Sequence, residues 1–179
     1  MAMEREEVLR SAAGFLSRRP NASQDEIAAA VGISRATLHR YFAGRAALFE
    51  ALDQLAIAQM RDALDAARWR EGSATEALRR LVTACEPVSG YLTLLYTQSL
   101  DFDSPAQEGW AKIDAEVKEL FLRGQRDGEF RPDLTAAWLT EAFFSLVAGA
   151  AWVIQAGRAA RRDFTDMITD LLLHGVSRT

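Results

Sequence analysis

The sequence predicts an all-α protein, with a small three-helix unit at its N-terminus and a larger helical body behind it. Three observations predict this. Apolar residues recur at helical spacing through almost the whole chain. No sustained alternation of apolar and polar residues, bounded by turn formers, marks a strand. Stops at 18–21, 31–33 and 42–44 cut the first 45 residues into three short helices.

Val8, Leu9, Ala12, Phe15 and Leu16 share a face and predict a first helix from Glu4 to Ser17, ended by Arg18-Arg19-Pro20-Asn21. Ser23 and Glu26 stand at capping-box spacing and open a second, running to Ala30. Val31-Gly32-Ile33 is a turn, and Ser34 is the N-cap of a third helix through Tyr41. After Phe42-Ala43-Gly44 a long helix runs from Arg45 to Arg68. Further helices are predicted over 75–85, 89–100, 107–126, 134–155 and 163–174, with Pro87 and Pro105 as interruptions and 128–132 as a polar turn.

With 179 residues the chain is long enough to bury a core and suits one or two small domains. Hydrophobic residues make up 49% and charged residues 26%, the balance of an ordinary globular protein. The start is acidic and helical, without a signal-peptide core, and no uncharged apolar run reaches the ~18 residues of a membrane span. One cysteine, Cys85, cannot form an internal disulfide, which agrees with a reducing compartment. A cytoplasmic protein without membrane attachment is expected. The net charge of −4 argues against nucleic acid when taken alone, but residues 1–50 carry +1 and the rest −5. Residues 34–45 hold Arg35, His39, Arg40 and Arg45 and no acid. A small basic element joined to an acidic body can meet phosphate.

Residues 23–41 carry the most specific signal. Two short helices meeting steeply need a tight turn, and Gly32 stands there; Ala28, four positions earlier, permits close approach. Ile27, Val31, Ile33, Leu38 and Tyr41 fit the buried seam. That leaves Arg35, Ala36, Thr37, His39 and Arg40 on the outer face of the second helix, which can enter a major groove. An ordinary helical hairpin with a solvated basic face is the plainer alternative.

The stretch EEVLRSAAGFLSRRPNASQDEIAAAVGISRATLHRYFAGRAALFEAL, above all DEIAAAVGIS, ATLHRYF and the basic residue three positions after Phe42, resembles the tetracycline-repressor (TetR) family of bacterial regulators. The later RDGEFRPDL before an apolar helix is similar too. The resemblance implies an N-terminal three-helix DNA-binding bundle with a helix-turn-helix over 1–46, and a helical ligand-binding and dimerisation domain over 47–179. It implies base reading by Arg35, Ala36 and Thr37, base or phosphate contacts by His39 and Arg40, and phosphate contacts by Tyr41 and Arg45. His39 stands where the family usually has tyrosine, and Arg45 where it has lysine. Double-stranded operator DNA is the expected partner.

For the body, the resemblance implies a pocket for a small apolar or aromatic ligand, with Met60, Leu64, Tyr91, Tyr96, Phe102, Trp110 and Ile113 as candidate lining. Plain core packing is the simpler explanation of any single one of them. The helix from Leu134 is apolar around much of its circumference, and the last helix offers a second apolar face. A homodimer through Phe143, Leu146, Val147, Ala150, Ile168 and Leu172 is expected. No catalytic residue, metal-ligand set or cofactor motif is recognisable: the two histidines, His39 and His174, lie far apart, and a single cysteine makes no metal motif. The chain therefore reads as a regulator rather than an enzyme, and as a repressor released from its operator by a ligand. An activator without an inducer, or a helical protein-interaction module, remains the alternative.

Overall fold

The computed structural model describes residues 4–97 and 106–176. Among them it contains nine α-helices and no β-strand element. The N-terminal unit is α1 (Arg5–Leu16), α2 (Gln24–Val31) and α3 (Arg35–Tyr41). Each begins or ends for a local reason. The Ser23 Oγ accepts from the Glu26 amide at 3.3 Å, and the Glu26 carboxylate accepts from the Ser23 amide at 2.8 Å, the reciprocal capping box the spacing predicts. Gly32 closes α2 at φ 81°, a left-handed conformation costly for a side chain. There the Ile33 amide donates to Ala28 O at 3.0 Å and the Gly32 amide to Ala29 O at 3.2 Å, so α2 ends in a Schellman motif. Ser34 caps α3 by accepting from the Thr37 amide at 3.1 Å. Such a cap stabilises a helix by about 1 kcal/mol, which matters for a helix of seven residues.

Behind this head, α4 (Arg45–Ala67) ends at Arg68, which adopts φ 44°. The body continues with α5 (Ala74–Cys85), α6 (Ser89–Thr97), α7 (Gln107–Arg126), α8 (Ala136–Gln155), a 3-10 turn over Arg161–Asp163, and α9 (Phe164–Val176). α8 packs on α6, α7 and α9, while α5 packs on α4, α7 and α9. By length and hydropathy alone α8 would pass as a membrane span, beyond what the uncharged-run count suggested. Its apolarity has another cause: Leu139, Phe143, Phe144 and Val147 are in the core of the body.

Two apolar clusters divide the chain. One joins Val8, Leu16, Ile27, Leu38 and Phe42 to Leu48 and Leu52 of α4. The other begins at Ile57 and Met60 of the same helix and runs through α5, α7, α8 and α9. The expected division at 46/47 cuts the chain where α4 starts, whereas the head's apolar cluster reaches up α4 to Leu52. A helix of 23 residues, about 34 Å long, is shared between both cores.

Candidate nucleic-acid interface and its link to the helical body

α3 is held to the head by one face and offers the other to solvent. Leu38 is fully buried; burying a leucine is worth about 1.5–3 kcal/mol, enough to fix a short helix in place. Arg35, Ala36, His39 and Arg40 are exposed, and Thr37 and Tyr41 are half-buried. The Thr37 hydroxyl lies 2.9 Å from Ser34 Oγ, inside the cap. The Arg40 guanidinium sits 5.4 Å from the centre of the Tyr41 ring. The structure thus brings Arg35, Ala36, Thr37, His39, Arg40 and Tyr41 together on one short helix.

Two residues outside the expected set complete the surface. Asp25, in the first turn of α2, accepts from Arg35 Nη1 at 3.1 Å. Arg5 of α1 donates from Nε to Tyr41 O at 3.4 Å and lies 4.7 Å from the Phe42 ring centre. Neither was legible in the motif, because each contact joins different helices.

Arg45 is held within the head. Its guanidinium donates to Ala22 O at 2.7 Å and to Pro20 O at 2.5 Å, and lies 4.6 Å from the Phe49 ring centre. In this geometry its fork braces the turn between α1 and α2. Arginine suits such a site because its planar fork reaches two acceptors at once.

In the body, Met60, Leu64 and Ile113 are all at most 2% exposed and pack within the common core. Met60 Sδ lies 3.8 Å from Cys85 Sγ. Burial pushes the Cys85 thiol up to about 12, which makes it a small inert core group. Tyr91 is half-buried and touches both apolar clusters. Trp110 is half-buried; burial pushes the Asp53 carboxyl of α4 up, an effect the Trp110 side chain partly offsets. Phe102 and the side chain of Tyr96 lie outside the described residues.

The residues expected at a dimer seam are turned inward. Phe143, Val147, Ile168 and Leu172 are at most 3% exposed within the single chain, and Ala150 is also buried; Leu146 is half-buried. The stripe of α8 left at the surface is Trp138, Glu141, Ser145, Gly149 and Trp152, with Leu171 exposed on α9. A helix apolar on all sides does not reveal by its period which stripe the chain's own core takes.

A short basic reading helix on a capped helix-turn-helix, joined by a continuous helix to an all-helical body, defines a DNA-binding transcriptional regulator. The pattern of the bacterial regulatory proteins of the tetR family matches residues 20–52. The chain is 34% identical over 175 residues to the HTH-type transcriptional regulator NfxB of Pseudomonas aeruginosa, covering 96% of this chain and 94% of that protein. It is 28% identical over 160 residues to the HTH-type transcriptional repressor LfrR of Mycolicibacterium smegmatis, covering 89% and 79%. The crystal structure of LfrR in complex with proflavine matches with a TM-score of 0.78 at 26% identity, over 98% of this chain and 97% of that one. The MbdR regulator of Azoarcus sp. CIB shares the fold, with a TM-score of 0.73 at 21% identity over 95% and 97%. The chain belongs to the TetR family of bacterial transcriptional regulators.

Proposed function

We propose that this protein is a cytoplasmic homodimeric repressor, with no catalytic role, that leaves its operator when an aromatic small molecule enters the helical body. The observation that carries the reading is α4. Leu48 and Leu52 belong to the head, and Ile57, Met60 and Leu64 to the body, on one unbroken helix. A change in how the body holds α4 therefore changes where α3 sits. A dimer reads two half-sites only at one separation of its recognition helices. A ligand that prefers another arrangement must weaken operator binding, and a coupling of about 1–3 kcal/mol suffices for ~5–150-fold. The complex of the similar LfrR with proflavine supports an aromatic ligand. The two-fold seam is assigned to the exposed face of α8 and α9, with Trp138, Trp152 and Leu171, because large apolar groups left in water on adjacent helices favour burial against a second copy.

The test is fluorescence anisotropy of DNA selected from a bacterial genomic pool, titrated with the protein and then with non-intercalating aromatic compounds. Release by a compound that also binds the protein without DNA is the expected result. Compounds that bind the body tightly while operator affinity stays constant would contradict the switch.

A further inference from the structure

We propose that Arg80 of α5 and Arg123 of α7 are specificity-determining positioning residues: they fix the direction in which α4 leaves the body, and so set the spacing between two half-sites that the protein accepts. This rests on the reading of the protein as a dimer that binds DNA through paired α3 helices.

The loop past α4 is short, and most of its carbonyls are gripped by two guanidinium groups. Arg80 donates from Nε to Ala67 O at 2.7 Å, and from Nη2 to Glu71 O at 2.7 Å and Arg68 O at 3.3 Å. Arg123 reaches the same loop from α7, donating from Nη1 to Gly72 O at 2.6 Å and from Nη2 to Trp69 O at 2.6 Å. Trp69 is buried in the body core, and its indole N–H donates to Glu116 of α7 at 2.9 Å. The Glu129 carboxylate, just beyond α7, accepts from the amides of Ala74 and Thr75 at 2.8 and 2.9 Å, and so holds the first turn of α5. A planar fork that bonds several carbonyls fixes direction as well as distance, and bonds from a charged donor are stronger than neutral ones. Ending the helix does not require this, because Arg68 in a left-handed conformation already ends α4. What the grip adds is attachment of that end to α5 and α7.

The attachment matters because of its place on a lever. Farther up α4, Ile57 meets α7 at Gly109, where a Cβ would stand 2.8 Å from Ile57 Cδ1 and 3.1 Å from Cγ2. The helix rise places Ala67 about 15 Å to one side of Ile57 and Arg45 about 18 Å to the other. α4 therefore rests on α7 with nearly equal arms, and slack at one end is reproduced at the other. Slack of about 3 Å at Ala67 moves Arg45 by about 3–4 Å, and one base-pair step along DNA is about 3.4 Å. Arg45 carries that movement into the head, since it holds the carbonyls of Pro20 and Ala22 just ahead of α2. Two arginines that remove the slack keep each α3 from following a neighbouring half-site spacing. A single half-site is indifferent to them, because one head can bind whatever the direction of its α4.

The experiment uses the full chain and DNA derived from an operator selected from a genomic pool: the operator itself, versions with one base pair added or removed between the half-sites, and one half-site alone. Fluorescence anisotropy gives affinities for wild type, Arg123→Gln and Arg80→Lys. Arg126→Gln is the control, because it breaks a surface pair with Glu119 on the same helix as Arg123. Circular dichroism melts establish that each variant is folded. The expected result is that wild type strongly prefers the operator to both respaced versions. Arg123→Gln and Arg80→Lys should shrink that preference by about tenfold with unchanged half-site affinity, while Arg126→Gln keeps it. An unchanged preference in folded Arg123→Gln and Arg80→Lys, or an equal loss on every DNA, overturns the role of the grip and leaves the dimer reading standing. So does a wild type that prefers the operator to the half-site yet is indifferent to spacing. If wild type binds the operator no tighter than the half-site, the dimer reading fails and this inference fails with it. Should Arg123→Gln not fold, Arg80→Lys decides the question by the same ratio, since it keeps the charge and loses the fork.

Discussion

Arg35 Nη1 lies 3.1 Å from Asp25 Oδ2, so the first residue of the reading helix is tied to the first turn of the helix before it. Both side chains are about two-thirds exposed. An ion pair of that kind is worth about 0–1 kcal/mol and is easily exchanged for DNA. Asp25 competes with DNA for Arg35 and presents a like charge to phosphate. Asp25→Asn is therefore expected to tighten binding to all DNA and to narrow the gap between operator and random sequence. Arg35→Ala should lose about 1–3 kcal/mol on the operator and much less on random DNA. Anisotropy titrations on both DNAs check this; equal losses in Arg35→Ala would contradict base reading by Arg35.

Arg45 yields a prediction that separates a brace from a phosphate contact. Loss of a phosphate contact changes the log–log salt slope by about one unit. Loss of the brace leaves the slope alone and weakens the head, because hydrogen bonds from a charged donor are each worth about 1.5–3 kcal/mol. Arg45→Ala should lower the melting temperature with an unchanged slope. Arg45→Lys should recover little stability, since an ammonium cannot reproduce the planar fork. A slope reduced by one unit at full stability would return Arg45 to the phosphate backbone.

The capping box makes the head acid-sensitive. The Ser23 amide, then the Ser23 hydroxyl, hold the Glu26 carboxyl below its usual range. A carboxyl whose folded value is depressed contributes stability that is present above the ordinary glutamate value of about 4.3 and is lost as pH falls through the folded value. Wild type should therefore lose this contribution below about pH 4. Glu26→Gln should show a flatter loss over the same range. Melting curves from pH 3 to 7 measure it, and equal slopes in the two proteins would count against the box as the cause.

Assembly gives the fourth prediction. Leu171→Glu or Trp138→Glu should yield folded monomers in sedimentation, because both side chains are more than half exposed in the single chain. Phe143→Glu should instead unfold the body, since Phe143 is fully buried and an unpaired charge in a core is expensive. A dimer that survives both surface substitutions would move the seam elsewhere.

Helix boundaries were legible because their causes are local. Ser23, Gly32 and Ser34 act on amides and carbonyls within a few residues, and the structure starts or stops helices beside each of them. Thr135 shows the limit: it caps α8 through the Trp138 amide, so the helix starts after Leu134 rather than at it. The outer face of α3 was legible for the same reason, since one buried leucine decides it. What escaped depends on contacts between helices distant in sequence. Arg45 has the spacing of a DNA contact, and only the folded turn between α1 and α2 shows its partners. Phe143 and Leu172 have the apolarity of a seam, and only packing shows that α6, α7 and α5 already cover that side.

The most direct test of the account is selection of bound DNA from a genomic pool with the purified protein, followed by footprinting and sedimentation of the complex. The account predicts an inverted repeat with half-site centres about 10 base pairs or a multiple apart. Each site should hold an even number of protomers and be protected in two major grooves on one face. A single half-site bound by one protomer, or no sequence preference at all, would contradict a dimer that reads its operator through paired α3 helices.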